Sequence, residues 1–196
     1  IAGRRLSNAA LGLLNAVEDP EALALAVEQF GAADNMTDAQ AALACLCQHS
    51  GDARDGALAA FHERWKDDAL VMDKWFALQA ASRLTGAAAV RALRDHADFK
   101  LENPNRVRSL IGVFAMQNFR GFHAGDGSGY EVLADTVIDL DPKNPQVASR
   151  LVRALNPWRR FEAPWGDLMK AQLERIAARE GLSKDVFEIV SSALQS

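Results

Sequence analysis

With 196 residues, 49% of them hydrophobic, and a formal net charge of -4, the chain is long enough to bury roughly 70% of the surface its unfolded form exposes, and one compact domain is the default. The acidic balance argues against a broad electropositive face that tracks a phosphate backbone, so no nucleic-acid partner is expected. No run reaches the roughly 18 uncharged apolar residues of a membrane span, so a soluble protein with no membrane partner is expected.

The first element is an amphipathic helix over 4–17, with Leu6, Ala10, Leu13 and Val17 on one side. The chain opens on Ile1 rather than Met, as a domain cut from a longer protein would. Asp19-Pro20 starts a helix over 20–31, because an Asx side chain caps free amides while Pro occupies a first-turn site that needs no N–H. Thr37 and Gln40 read as a capping box that starts a helix over 38–49. Cys45 and Cys47 lie roughly 200° apart on that helix and cannot bridge each other. Helices follow over 52–65, with the face Ala57, Leu58, Phe61 and Trp65, then over 69–81 and 87–96. Asn103-Pro104 starts a helix over 104–117, with the face Val107, Leu110, Ile111 and Phe114. Gly125–Gly129 reads as a turn capped by Asp126 or Ser128, leading into 127–140 with Tyr130, Leu133, Ala134 and Val137 on one face. Asn144-Pro145 starts 145–155, and helices over 164–179 and 183–194 complete the chain. Asp141-Pro142 and Asn156-Pro157 carry the same start signal. No strand pattern is present. Short links between successive helices predict an all-α fold, an irregular superhelical array of antiparallel hairpins of the armadillo/HEAT solenoid type, without a strict repeat period.

Catalytic and metal signatures are absent from the sequence. A zinc hydrolase needs two His at i, i+4 plus a carboxylate, whereas His49, His62, His96 and His123 lie far apart and His62-Glu63 lacks the second His. The expected metal and cofactor content of the chain is none. The glycine-rich turn joins helices rather than a strand and a helix, which excludes a phosphate loop. No serine sits in a Gly-x-Ser-x-Gly elbow, and the two cysteines belong to an apolar helix without a His partner. The tryptophans 65, 75, 158 and 165 read as packing residues.

One electrostatic feature stands out. Arg106 and Arg108 fall in the first turns of a helix, where the macrodipole disfavours cations by about 0.3–1 kcal/mol each. Gln146 and Arg150 share a helix face beside the apolar row Val147, Leu151 and Leu155.

Several segments taken together resemble the C-terminal helical domain of bacterial zinc aminopeptidases of the M1 (alanyl aminopeptidase) family. They are Ala33–Asp38, Trp65–Asp68, Val71–Phe76, Asn103–Gly112, Phe122–Ala124 with Asp126–Tyr130, and Asn144–Leu151. The resemblance runs from about Ile1 to Leu194. It implies a single domain over 1–196 excised from a longer cytoplasmic metalloprotease that removes N-terminal residues from peptides, with the catalytic domain of the same chain as partner. Zinc in the full-length enzyme would be held upstream, since the family's His-Glu-x-x-His and Gly-Ala-Met-Glu-Asn motifs have no counterpart here. The domain would act as a lid that restricts and lines the substrate cavity and would be inactive alone. By motif position the substrate-binding residues would be Arg108, Gln146 and Arg150. Pro164 and Gly166 depart from the polar, proline-free lead-in expected of the family and predict a delayed helix. The second reading is a free-standing helical-repeat adaptor that binds a protein or peptide on its concave face.

Overall fold

The computed structural model describes residues 2–17 and 19–195, and its regular structure is helical throughout, with no strand among the described residues. The chain divides into two compact units, residues 1–84 and 85–196.

The first unit contains α1 (Ala2–Leu14), α2 (Pro20–Ala32), α3 (Met36–Leu46), α4 (Asp52–Trp65) and α5 (Ala69–Ala80). Consecutive helices pack on each other, and α3 also touches α1 and α5, which is the layering of an armadillo-type stack. The caps explain the starts. Asp19 accepts a hydrogen bond from the Glu21 amide at 2.8 Å, and Asp68 accepts from Leu70 and Val71 at 3.0 and 3.1 Å. The cap of α3 is Asn35, not Thr37: its side-chain oxygen accepts from the Asp38 amide at 3.0 Å, so the helix starts two residues earlier than the capping box suggests.

Ala57, Leu58 and Phe61 are buried as the periodicity requires, together with Leu43, Leu46, Met72 and Phe76. The α1 stripe behaves otherwise. Leu11 and Asn15 face inward, and Asn15 donates to the carbonyls of Leu11 and Ala22 at 3.0 and 3.1 Å. Leu6, Leu13 and Val17 are 74, 75 and 67% exposed. The small side of the helix lies against its neighbours, which leaves the leucine side open. Cys45 and Cys47 are buried and unbridged.

The second unit holds α6 (Ala87–Arg94), α7 (Pro104–Val107), a π-helical segment (Arg108–Gly112), α8 (Val113–Gln117), α9 (Phe119–Phe122), α10 (Ser128–Leu140), α11 (Pro145–Val152), a 3-10 helix (Arg153–Arg160), α12 (Trp165–Ala177) and α13 (Lys184–Gln195). Asn103 and Asn144 cap α7 and α11 as expected. The helix predicted over 104–117 keeps its buried face, with Val107, Leu110, Ile111 and Phe114 all inaccessible, but passes through the π segment on the way.

Two of the Asx-Pro pairs do other work. Asn156-Pro157 lies inside the 3-10 helix. Asp141-Pro142 lies in the turn after α10, and the buried Asp141 carboxylate accepts from the Ser183 amide at 2.8 Å and from the Ser183 hydroxyl. Ser183 in turn accepts from the Val186 amide at 3.3 Å, so a residue that reads as a local start instead supports the beginning of a helix 42 positions away. The departure at Pro164 and Gly166 is also structural: a Cβ on Gly166 would lie 2.5 Å from the Phe161 carbonyl oxygen and 2.7 Å from that of Trp158. Only glycine lets α12 start this close to the preceding turn.

Candidate functional site: an arginine-rimmed pocket

The two arginines near the start of the 104–117 helix have different fates. Arg106 is buried and donates from Nη1 to the Asp98 carbonyl at 2.7 Å, so it ties α7 to the preceding loop. Arg108 is exposed, donates from Nε to the Pro104 carbonyl at 3.0 Å, and opens the π segment. A π segment widens the helix by one residue and swings the side chains that follow, a device that recurs at functional sites. Gly112 ends it. A Cβ there would meet Arg108 Cβ at 3.8 Å and Leu151 Cδ2 at 4.0 Å, so the bare glycine brings the π segment and α11 together along a narrow seam.

Beside that seam lies a cavity of about 540 Å³, open to solvent and walled mostly by apolar groups. Met116 and Phe119 form one side, Val147, Leu151, Ala154 and Pro157 the other, and Phe122, His123 and Phe161 the end, with Arg108, Arg150 and Arg153 also lining it. Elsewhere in this unit Arg94 meets Asp139 at 2.7 Å and Arg175 meets Asp135 at 2.6 Å. The three pocket arginines have no carboxylate partner among the described residues. Their charge is therefore available to an anion. Of the three residues expected to bind substrate, Arg108 and Arg150 reach this cavity. Gln146 is exposed one helical turn before Arg150 and is not part of the wall.

Sequence reasoning missed the end wall. His123 accepts or donates through Nδ1 at 2.7 Å from the hydroxyl of Tyr130, which is fully buried, and it stacks on Phe161 with ring centres 4.9 Å apart. Phe122 packs edge-on against both rings. Burial holds the imidazole below its ordinary pKa and pushes the Tyr130 hydroxyl up to about 12. At neutral pH the pair is a neutral imidazole and a phenol, so Tyr130 donates to Nδ1 and the proton of the ring sits on Nε2. The Trp165 indole N–H donates to the His123 carbonyl at 3.0 Å and holds the same turn from α12. No local motif announces this assembly, because it joins residues from three elements.

The remaining candidates resolve as structure. The glycine-rich stretch is a turn in which the Asp126 carboxylate accepts from the Ser128 amide at 3.0 Å and from its hydroxyl at 2.7 Å. Burial raises the Cys47 thiol to about 11, so it is no nucleophile at neutral pH. His49 pairs through Nε2 with the Asn15 side-chain oxygen at 3.0 Å. The indole nitrogens of Trp75 and Trp158 donate to the carbonyls of Leu58 and Ala193, each at 3.0 Å, as packing residues with a polar edge do.

Stacked helices and an open pocket without a nucleophile define an armadillo-type helical domain rather than a self-contained enzyme. The family model described as "Domain of unknown function (DUF3458_C) ARM repeats" matches residues 1–195, and the chain belongs to that family. It is similar to the C-terminal part of bacterial Aminopeptidase N. The match to the Caulobacter vibrioides protein is 46% identical over 195 residues, covering 98% of this chain and 23% of that protein. The Escherichia coli protein is 44% identical, with 99% of this chain and 22% of the other covered. A crystal structure of Legionella pneumophila aminopeptidase A in complex with aspartic acid superposes with a TM-score of 0.89 at 31% identity, covering 98% of this chain and 23% of that one. The chain thus spans 22–23% of the length of these curated relatives. No helix among the described residues is long and apolar enough to cross a membrane.

Proposed function

We propose that this chain is a single C-terminal domain of a longer, cytoplasmic, zinc-dependent M1 aminopeptidase that releases N-terminal residues from peptides, and that it forms one wall of the substrate cavity. The observation that carries the reading is the cluster of unpaired arginines at the mouth of an apolar pocket, in a chain that matches Aminopeptidase N over 98% of its length. The adaptor reading is not favoured by those relatives. Peptide substrate and the upstream catalytic domain are the partners of this reading.

Zinc supplies Lewis-acid chemistry at a scissile carbonyl in enzymes of this class. The residues here do not fit it: His49 is held by Asn15 and His123 by Tyr130, and no His-Glu-x-x-His stands in the sequence. The metal therefore belongs to the upstream domain. What this chain offers is binding. Arg108 and Arg150 attract the downstream carboxylate or carbonyls of the peptide, and Gln146, on the same face of α11 as Arg150, hydrogen-bonds its backbone.

In the full-length protein, Arg108→Ala or Arg150→Ala is expected to raise KM for short peptides about tenfold, the loss of one charge-assisted hydrogen bond, with a smaller change in kcat. Steady-state kinetics on di- and tripeptides check it, and unchanged constants for both variants would reject the role. The isolated chain is expected to turn over no aminoacyl chromogenic substrate, with or without added zinc.

A further inference from the structure

The pocket behind the arginines has more apolar wall than a carboxylate requires. Its volume of about 540 Å³ exceeds what a small polar group fills, and Met116, Phe119, Leu151, Ala154, Pro157 and Phe161 surround it. Met116 and Phe119 are 69 and 72% exposed, two large apolar side chains held in water at its edge. Such an arrangement loses free energy unless an apolar group covers it. Three cations with no anionic partner among the described residues stand beside the same opening. A ligand that satisfies both halves carries a large apolar group and a carboxylate a few bonds apart. A phosphorylated peptide would leave the apolar wall unfilled, and a peptide carbonyl alone would leave the cations unmatched.

We propose that the pocket takes the bulky apolar side chain of a peptide's C-terminal residue while Arg108, Arg150 and Arg153 hold that residue's α-carboxylate, so that the pocket selects short peptides ending in Phe, Leu or Met. The inference rests on the substrate-cavity reading above and adds to it a substrate class and three residues, Met116, Phe119 and Arg153. His123 closes the end of the pocket. Its Nε2 makes no hydrogen bond to the described residues and is not fully buried, so its proton is free for a peptide carbonyl. A chain longer than the cavity allows, or one ending in an amide, would lose one of the two anchors. A medium-chain fatty acid shares the same apolar-plus-carboxylate chemistry, and the test separates it from a peptide.

The test uses the full-length protein and peptides of three to six residues that begin with Ala and end in Phe or Ala, each as the free acid and as the amide. The expected kcat/KM is on the order of tenfold higher for the Phe acid than for the Ala acid at one or more lengths, the scale of discrimination by an apolar pocket. Phe119→Ala removes an exposed wall and Ala154→Phe fills the cavity; each should bring the Phe-to-Ala ratio close to one. Phe119→Ala changes an exposed side chain, so it tests the pocket even where Ala154→Phe misfolds. Equal turnover of Phe- and Ala-ended acids at every length overturns the pocket assignment, and the cavity-wall reading survives that result if the acid is still preferred over the amide. Equal turnover of acid and amide, with Arg108→Ala and Arg150→Ala silent, overturns the earlier reading as well. Inhibition by decanoate, relieved by Phe119→Ala, without any preference among peptides would assign the pocket to a fatty acid and overturn the peptide.

Discussion

Residues up to Leu84 and residues from Thr85 onward are both stacks of helices, yet they are built by different rules. In the first unit the helices are unbroken, and a Cβ added at Gly3, Gly12, Gly31, Gly51 or Gly56 would meet nothing within 4 Å. In the second the backbone changes from α to π and back, then from α to 3-10. There a Cβ on Gly121 would lie 2.3 Å from the Thr85 carbonyl oxygen, and one on Gly129 would lie 2.3 Å from that of Phe122. Regular helices close their seams by ridge-into-groove packing. A pocket between them needs backbone that leaves the regular path, and glycines that let other segments come close enough to carry it.

The largest expected effect tests that contrast directly. Gly129→Ala should cost about 3 kcal/mol by overpacking, read as a lower urea midpoint with unchanged slope. Asp141→Ala comes next: it removes the acceptor of two Ser183 donors at the start of α13 and should cost about 2 kcal/mol. In the first unit, Gly56→Ala on exposed α4 surface should instead gain about 0.5–1 kcal/mol from helix propensity. A loss there as large as at Gly129 would erase the distinction between the units.

The smallest effect is a pH dependence. Because burial lowers the His123 pKa in the folded chain, the unfolded state binds more protons as the pH falls below about 6.5. The contribution of His123 is therefore complete above that pH and is lost as the pH falls through the depressed folded value. His123→Gln should flatten the fall of Tm across that interval, and an unchanged profile would show that the imidazole does not titrate differently on folding.

Much of this is legible in the residues. Nearly every helix of eight residues or more lies where periodicity and Asx-Pro starts place it, because those signals are local: a cap acts on amides two or three residues away, and an apolar face repeats every turn. What escapes is non-local. Thr37 competes with Asn35 because the capping box is a pattern of types, whereas the cap is chosen by which oxygen meets the Asp38 amide. The Leu6–Leu13 stripe reads as a packing face, but neighbours decide which side of a helix is covered. Arg108 and Arg150 stand out by position alone, while His123, Tyr130 and Phe161 meet only after the chain has turned back on itself, and no spacing rule joins them.

The π segment also constrains how this sequence can change length. Its five residues, Arg108–Gly112, amount to an insertion absorbed without a loop. Deleting one of them would let an ordinary α-helix run straight from Pro104 to Gln117, with no break in hydrogen bonding to betray the loss. Yet everything beyond the deletion would turn by about 100° relative to Arg108, the angle of one residue in a helix of 3.6 per turn. Met116 and Phe119 would leave the side of the helix that Arg108 occupies. A one-residue deletion here would thus spare the helix and abolish the pocket, so the segment is a register lock, intolerant of gaps in a way that the exposed turns around it need not be.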